Sequence, residues 1–129
     1  MKTRKIFLDG YVELKPSLFT SKTYQRNDVG IDSARNIINI GNGVLAMAQV
    51  KLEKGETANV RIGIHNSKDK FIIVFDEEAD FKARRYSSPT IQICSAGAVR
   101  GLIKNGWHHK RYKATSPEQG VVIVTKEEV

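Results

Sequence analysis

Two stretches of this chain run through the same series of short patterns, and any fold has to accommodate both. Asn36–Asp76 reads NIINIGNGVLAMAQVKLEKGETANVRIGIHNSKDKFIIVFD, and Pro89–Thr125 reads PTIQICSAGAVRGLIKNGWHHKRYKATSPEQGVVIVT. Each opens on a brief alternation, Ile38-Asn39-Ile40 and Ile91-Gln92-Ile93. Each continues through a run of small apolar residues, Val44 to Leu52 and Ala98 to Ile103, and then reaches a glycine, Gly55 or Gly106. From the second isoleucine to that glycine is 15 positions in the first copy and 13 in the second. A mixed strand follows (Thr57–Ile64, Trp107–Ala114), then a polar turn (His65–Lys70, Thr115–Gly120). An apolar strand closes each copy (Phe71–Phe75, Val121–Val124). A unit of about 35 residues cannot bury its own apolar face, so two such units are expected to pair.

The rest of the chain frames these copies. Lys5–Leu8 and Tyr11–Leu14 flank Asp9-Gly10, a two-residue turn signal, so Arg4–Leu14 reads as a β-hairpin. Lys15–Asp32 carries Pro16, Ser17, Asn27, Asp28 and Gly30 without a period and reads as loop. Glu77–Ser88 reads as a linker with a short helical turn near Glu77–Lys82, and Lys126–Val129 as a frayed tail. The run Val44–Leu52 alternates as a strand, which is the reading preferred, but Leu45, Ala48 and Leu52 also fit a helical stripe. Ala98–Lys104 looks helical, with Ser95 as its cap and Gly106 as its stop. The expected fold is mainly β (β-rich α+β): a small barrel of two related strand–run–strand–strand units plus the N-terminal hairpin. The organisation is one domain, with 1–35 as hairpin and loop, 36–76 and 89–125 as the units, and 77–88 between them.

Composition removes several classes. At 129 residues the chain is long enough for a modest core, and 40% hydrophobic residues argue against disorder. No run reaches the roughly eighteen apolar residues of a membrane helix. The basic-then-apolar start, Met1–Leu8, stops at Asp9, short of a secretion signal. The single cysteine, Cys94, excludes an internal disulfide, fits a reducing compartment and reads as a small core residue. A cytoplasmic location, in a prokaryotic or phage-infected cell, is therefore expected.

Chemistry-bearing motifs are sparse. There is no phosphate-binding glycine loop, no His-Glu-x-x-His and no Gly-x-Ser-x-Gly. His108 and His109 are neighbours, so on a strand they point to opposite faces and cannot easily share an ion. The carboxylates Asp76, Glu77, Glu78 and Asp80 read as a solvated run in preference to a cation site. No catalytic residue, metal or cofactor is expected.

What stands out is charge. The chain carries 21 basic and 14 acidic residues, a formal net charge of +7, which favours an anionic partner. Its most basic segment runs Trp107-His108-His109-Lys110-Arg111-Tyr112-Lys113, and Lys82, Arg84, Arg85 and Tyr86 form a second cluster. Cations neutralise phosphates and rings stack on bases, so aromatic and basic groups side by side suit nucleic acid. The alternative is a solvated strand edge whose cations discourage sheet-to-sheet pairing.

The strand–run–glycine–strand–turn–strand order, from Ile38 through Gly55 to Phe75 and from Ile91 through Gly106 to Val124, resembles the unit of AbrB/MazE/MraZ-type proteins. The tandem layout is similar to two-copy proteins of phages and mobile elements. The resemblance implies a swapped-hairpin barrel, DNA binding through basic residues on one face, and often a homodimer. The Asp-x-x-Gly-Arg signature of MraZ-type units is absent, and Met1–Arg35 has no counterpart, so no contact residue transfers one by one.

The sequence therefore leads to a small, basic, non-enzymatic nucleic-acid-binding protein, such as a phage or mobile-element regulator, with DNA preferred over RNA. The expected contact set is Lys82, Arg84, Arg85, His109, Lys110, Arg111 and Lys113, with Trp107 or Tyr112 stacking. The two clusters are expected to merge into one stripe. The alternative is a protein-interaction or assembly module, a phage structural protein or an inhibitor of a host factor, whose basic face meets an acidic protein surface.

Overall fold

Alternation decides most of the strands. A strand sends successive side chains to opposite faces, so Ile38 and Ile40, Ile91 and Ile93, and Val122 and Val124 turn inward while the residues between them face out. The computed structural model describes residues 26–128. The strands are β1 (Asp28–Asp32), β2 (Ile37–Ile40), β3 (Thr57–Ile64), β4 (Lys70–Phe75), β5 (Phe81–Arg85), β6 (Ile91–Cys94), β7 (Arg111–Thr115) and β8 (Val121–Glu128). Two short helices, α1 (Asn42–Met47) and α2 (Ala96–Lys104), follow β2 and β6.

All eight strands close into one antiparallel barrel in the order β1-β2-β6-β5-β3-β4-β8-β7. Its interior is filled by Ile38, Ile40, Phe71, Ile73, Ile91, Ile93 and their neighbours, and the buried faces of both helices join that core. The architecture is the small β-rich barrel expected.

The pairing has an internal symmetry. Exchanging β1 with β5, β2 with β6, β3 with β7 and β4 with β8 leaves every strand pairing unchanged. Each half holds two hairpins, β1·β2 with β3·β4 and β5·β6 with β7·β8, and no hairpin pairs with the other of its own half. The halves are interleaved.

Several sequence expectations are corrected. The run after β2 is helical over Asn42–Met47, because Val44, Leu45 and Ala48 are buried at helical spacing. The segment Glu77–Ser88 is not a linker with a helical turn. It contains β5, which was missed because only the small Ala83 is fully buried between exposed Lys82 and Arg84. The end of the loop Lys15–Asp32 is β1, and the expected tail continues as β8 through Glu128. Cys94 is exposed, since it follows the inward Ile93 and points out of the barrel. The strand expected over Trp107–Ala114 begins only at Arg111.

Gly55 and Gly106 are not equivalent. Each helix ends with a six-to-one backbone bond, Val50 N–H to the Leu45 carbonyl and Trp107 N–H to the Leu102 carbonyl, both 3.0 Å. The left-handed residue closing α2 is Gly106 (φ 92°), and the one closing α1 is Gln49 (φ 54°). Gly55 turns the loop beyond. α2 is 9 residues against 6 in α1, one helical turn more. The hairpin Arg4–Leu14 lies outside the described residues. No described helix is long and apolar enough to cross a membrane.

Candidate functional site

A polar concavity lies outside the barrel wall where β7, β1 and β2 run side by side. It is a cleft of about 350 Å³ lined chiefly by Arg26, Asp28, Asp32, Arg35, Asn39, His109, Lys110 and Arg111, with Gly30 at its floor. Alternation builds it. Val29 and Ile31 point into the core, so Asp28, Gly30 and Asp32 lie on the outer face of the sheet, Asp28 buried there, and Tyr112 turns inward while Arg111 does not. Gly30 pairs with Arg111 on one side and Asn39 on the other, and its missing side chain leaves room between them.

The entry of the chain into β1 is clamped by the Gly41-Asn42-Gly43 segment. Gly41 N–H donates to the Asp28 carbonyl (2.9 Å), Gly43 N–H to the Arg26 carbonyl (2.8 Å), and Arg26 N–H to Asn42 Oδ1 (2.7 Å). A Cβ on Gly41 would sit 2.3 Å from the Arg26 carbonyl oxygen, a backbone atom that cannot step aside. Glycine there is what lets Arg26 and Asp28 reach the cleft.

Electrostatics inside the cleft are partly internal. Arg35 Nε donates to Asp32 Oδ2 at 2.8 Å, and Arg35 N–H donates to Oδ1 at 3.0 Å. The Arg35 side-chain hydrogen bond, helped by the backbone bond, holds the Asp32 carboxyl below its ordinary value. His109 Nδ1 lies 3.7 Å from Asp32 Oδ1 and accepts the Ser33 N–H at 3.0 Å. Four cationic side chains and an imidazole thus share the cleft with two carboxylates, one of them already taken by Arg35.

The sequence-derived contact residues divide into three groups. His109, Lys110 and Arg111 line the cleft, and Lys113, exposed two positions on, pairs with Glu127 at 3.4 Å. Trp107 and Tyr112 are not stacking residues. Trp107 is fully buried, edge-on to Phe71 (4.6 Å between ring centroids) and to Tyr112 (4.8 Å). The Tyr112 hydroxyl accepts the His108 N–H (2.9 Å), and its ring is 3% exposed. A large ring gains more from burial than from contact with water, and that draws this loop onto the core. Lys82, Arg84 and Arg85 sit on β5, four strands from β7 in either direction round the eight-strand barrel. The two basic clusters therefore occupy opposite walls and do not merge. Lys82 and Arg84 are exposed, whereas Arg85 is half-buried and donates from Nη1 to the Leu52 carbonyl (2.8 Å).

Sequence reasoning missed Arg26, Asp28, Asp32, Arg35 and Asn39. The first three lie in Lys15–Asp32, which reads as loop because its polar residues and glycine mask the short alternation of Val29 and Ile31. Among the described residues no three His, Cys, Asp or Glu side chains converge as a metal site would require. An apolar hollow of about 280 Å³, lined by Gly63, Ile64, Phe71, Ile72 and Ile123, marks the far wall at β3, β4 and β8. No family model, curated protein or solved structure matches the chain.

Proposed function

We propose that this protein binds nucleic acid, without catalysing a reaction, by gripping the phosphate backbone in the cleft between β7, β1 and β2. The observation that carries this reading is the convergence of Arg26, Arg35, Lys110 and Arg111 on one concavity of a chain whose formal net charge is +7. Arginine forks and lysine ammonium groups suit phosphate. Trp107 and Tyr112 shape the cleft from beneath by fixing the loop that carries His109 and Lys110.

An anisotropy titration of the full chain against labelled DNA and RNA, at several salt concentrations, tests the reading. Affinity is expected at low salt, and log K falls linearly with log salt. Absence of affinity at low salt, or a salt dependence no steeper than that of a neutral control protein, refutes it.

A second reading, a protein-interaction or assembly module, is favoured by the apolar wall on the opposite side. There Gly63, Ile72 and Ile123 pair in register and face outward, with Val74 beside them. Apolar surface rimmed by polar groups commonly marks a protein contact. Size-exclusion chromatography with light scattering separates the two readings. A stable protein complex, formed by a chain that purifies free of nucleic acid and ignores added oligonucleotide, favours the second.

A further inference from the structure

We infer that the nucleic acid is single-stranded and lies across half the barrel circumference, from Arg111 on β7 to Arg84 on β5. This rests on the nucleic-acid reading above and specifies the ligand of that surface.

The inference comes from strand register. Arg111 pairs with Gly30, Gly30 with Asn39, Asn39 with Gln92, and Gln92 with Arg84. Eight of the residues flanking this row (Tyr112, Val29, Ile31, Ile38, Ile40, Ile91, Ile93 and Ala83) are buried, so the row lies on the outer face of the sheet, where the Asn39 Oδ1 is covered. It is a transverse polar track with a guanidinium at each end and the Gln92 amide between them. Neither arginine has a carboxylate partner among the described residues. At about 4.8 Å per strand spacing, the track is about 19 Å long at the backbone.

The barrel is closed, so the ends of this track face opposite directions. A duplex has a persistence length of about 150 base pairs and cannot curl round so small a cylinder. It touches one arginine or the other. A single strand turns freely at each nucleotide and can meet both. The β5 end also offers a platform for an unstacked base. Tyr86 is 43% exposed, and the Arg84 guanidinium carbon lies 5.1 Å from its ring centroid. Bases stack on such planar groups whatever their sequence.

The test uses the full chain, a labelled 15-nucleotide single strand and the matching duplex, with Arg84→Gln, Arg111→Gln and the double variant. Both arginines are exposed, and far-UV circular dichroism checks that the variants fold. For the single strand, each substitution is expected to weaken binding by about fivefold and to lower the salt slope by about 0.7. In the double variant the two losses multiply. Duplex binds more weakly than the single strand. Because it meets one arginine at a time, its double variant loses about fivefold in all, the loss of one contact, where the single strand loses the product of two. Duplex binding as tight as single-strand binding overturns the inference, as does an Arg84→Gln variant that binds single strands like the parent. Either result leaves the nucleic-acid reading in place. Failure of both ligands to bind with salt sensitivity removes that reading as well.

Discussion

Asp32 shows how much of this surface is set by one neighbour. Its carboxyl is held low chiefly by the Arg35 side-chain hydrogen bond, with the Arg35 backbone N–H adding to it. Asp69, held by the Ser67 hydroxyl, and Asp76, held by the Glu78 N–H and then by Arg61, shift the same way. A carboxyl whose folded value lies below its unfolded value near 3.9 adds stability above that pH. The contribution disappears as the pH falls through the folded value. The urea midpoint is therefore expected to lose the contribution of these three groups only below about pH 4. In Arg35→Ala the Asp32 titration, followed by carboxyl NMR, is expected to move up toward the ordinary aspartate range. An unmoved midpoint contradicts the assignment. Of the cleft's basic residues His109, Lys110 and Arg111 were legible in the sequence and Arg26 and Arg35 were not; ion pairs were not legible either, because a pair such as Lys113 with Glu127 depends on how β7 meets β8.

The two helices differ in how they are held. α2 has a side-chain cap, Ser95 Oγ accepting the Ala98 N–H at 3.1 Å, whereas α1 starts at Gly41 with none. Ser95→Ala is expected to lower stability by about 1 kcal/mol in urea denaturation, and Ser95→Asp to retain most of it. Equal losses in both variants argue that the cap contributes nothing. This helix was legible from Ser95, its apolar spacing and Gly106, all local signals. α1 was ambiguous because six residues give less than two turns of periodicity, and alternating small residues imitate a strand. β5 was illegible for a related reason: with alanine as its one fully buried side chain, it offers almost no hydrophobic alternation to read.

The interleaved pairing makes the barrel depend on both halves. Within residues 26–76, β1 pairs only with β2 and β3 only with β4, while their remaining edges are completed by β5, β6, β7 and β8. Isolated two-stranded hairpins are marginal in water. A fragment of residues 26–76 is therefore expected to be unfolded by circular dichroism and to gain β-structure only when residues 77–129 are added. Independent folding of either half is incompatible with this topology. The same closure leaves no sheet edge within the barrel for edge-to-edge association.

Alternation and turn chemistry are properties of neighbouring residues. The chain alone therefore determined which side chains of β2 and β6 face inward, where the second helix begins and ends, and that the fold is mainly β; in the apolar runs Phe71–Phe75 of β4 and Val121–Val124 of β8 it left the inward face open. The order of strands round that barrel depends on pairings between distant segments, which no local pattern records. Only the folded chain could place β5 opposite β7 and so separate two basic clusters that sequence reasoning had joined. Only there, too, do Arg26 and Arg35 meet Arg111, because Gly41 admits the chain close enough and a closed sheet brings β1 beside β7.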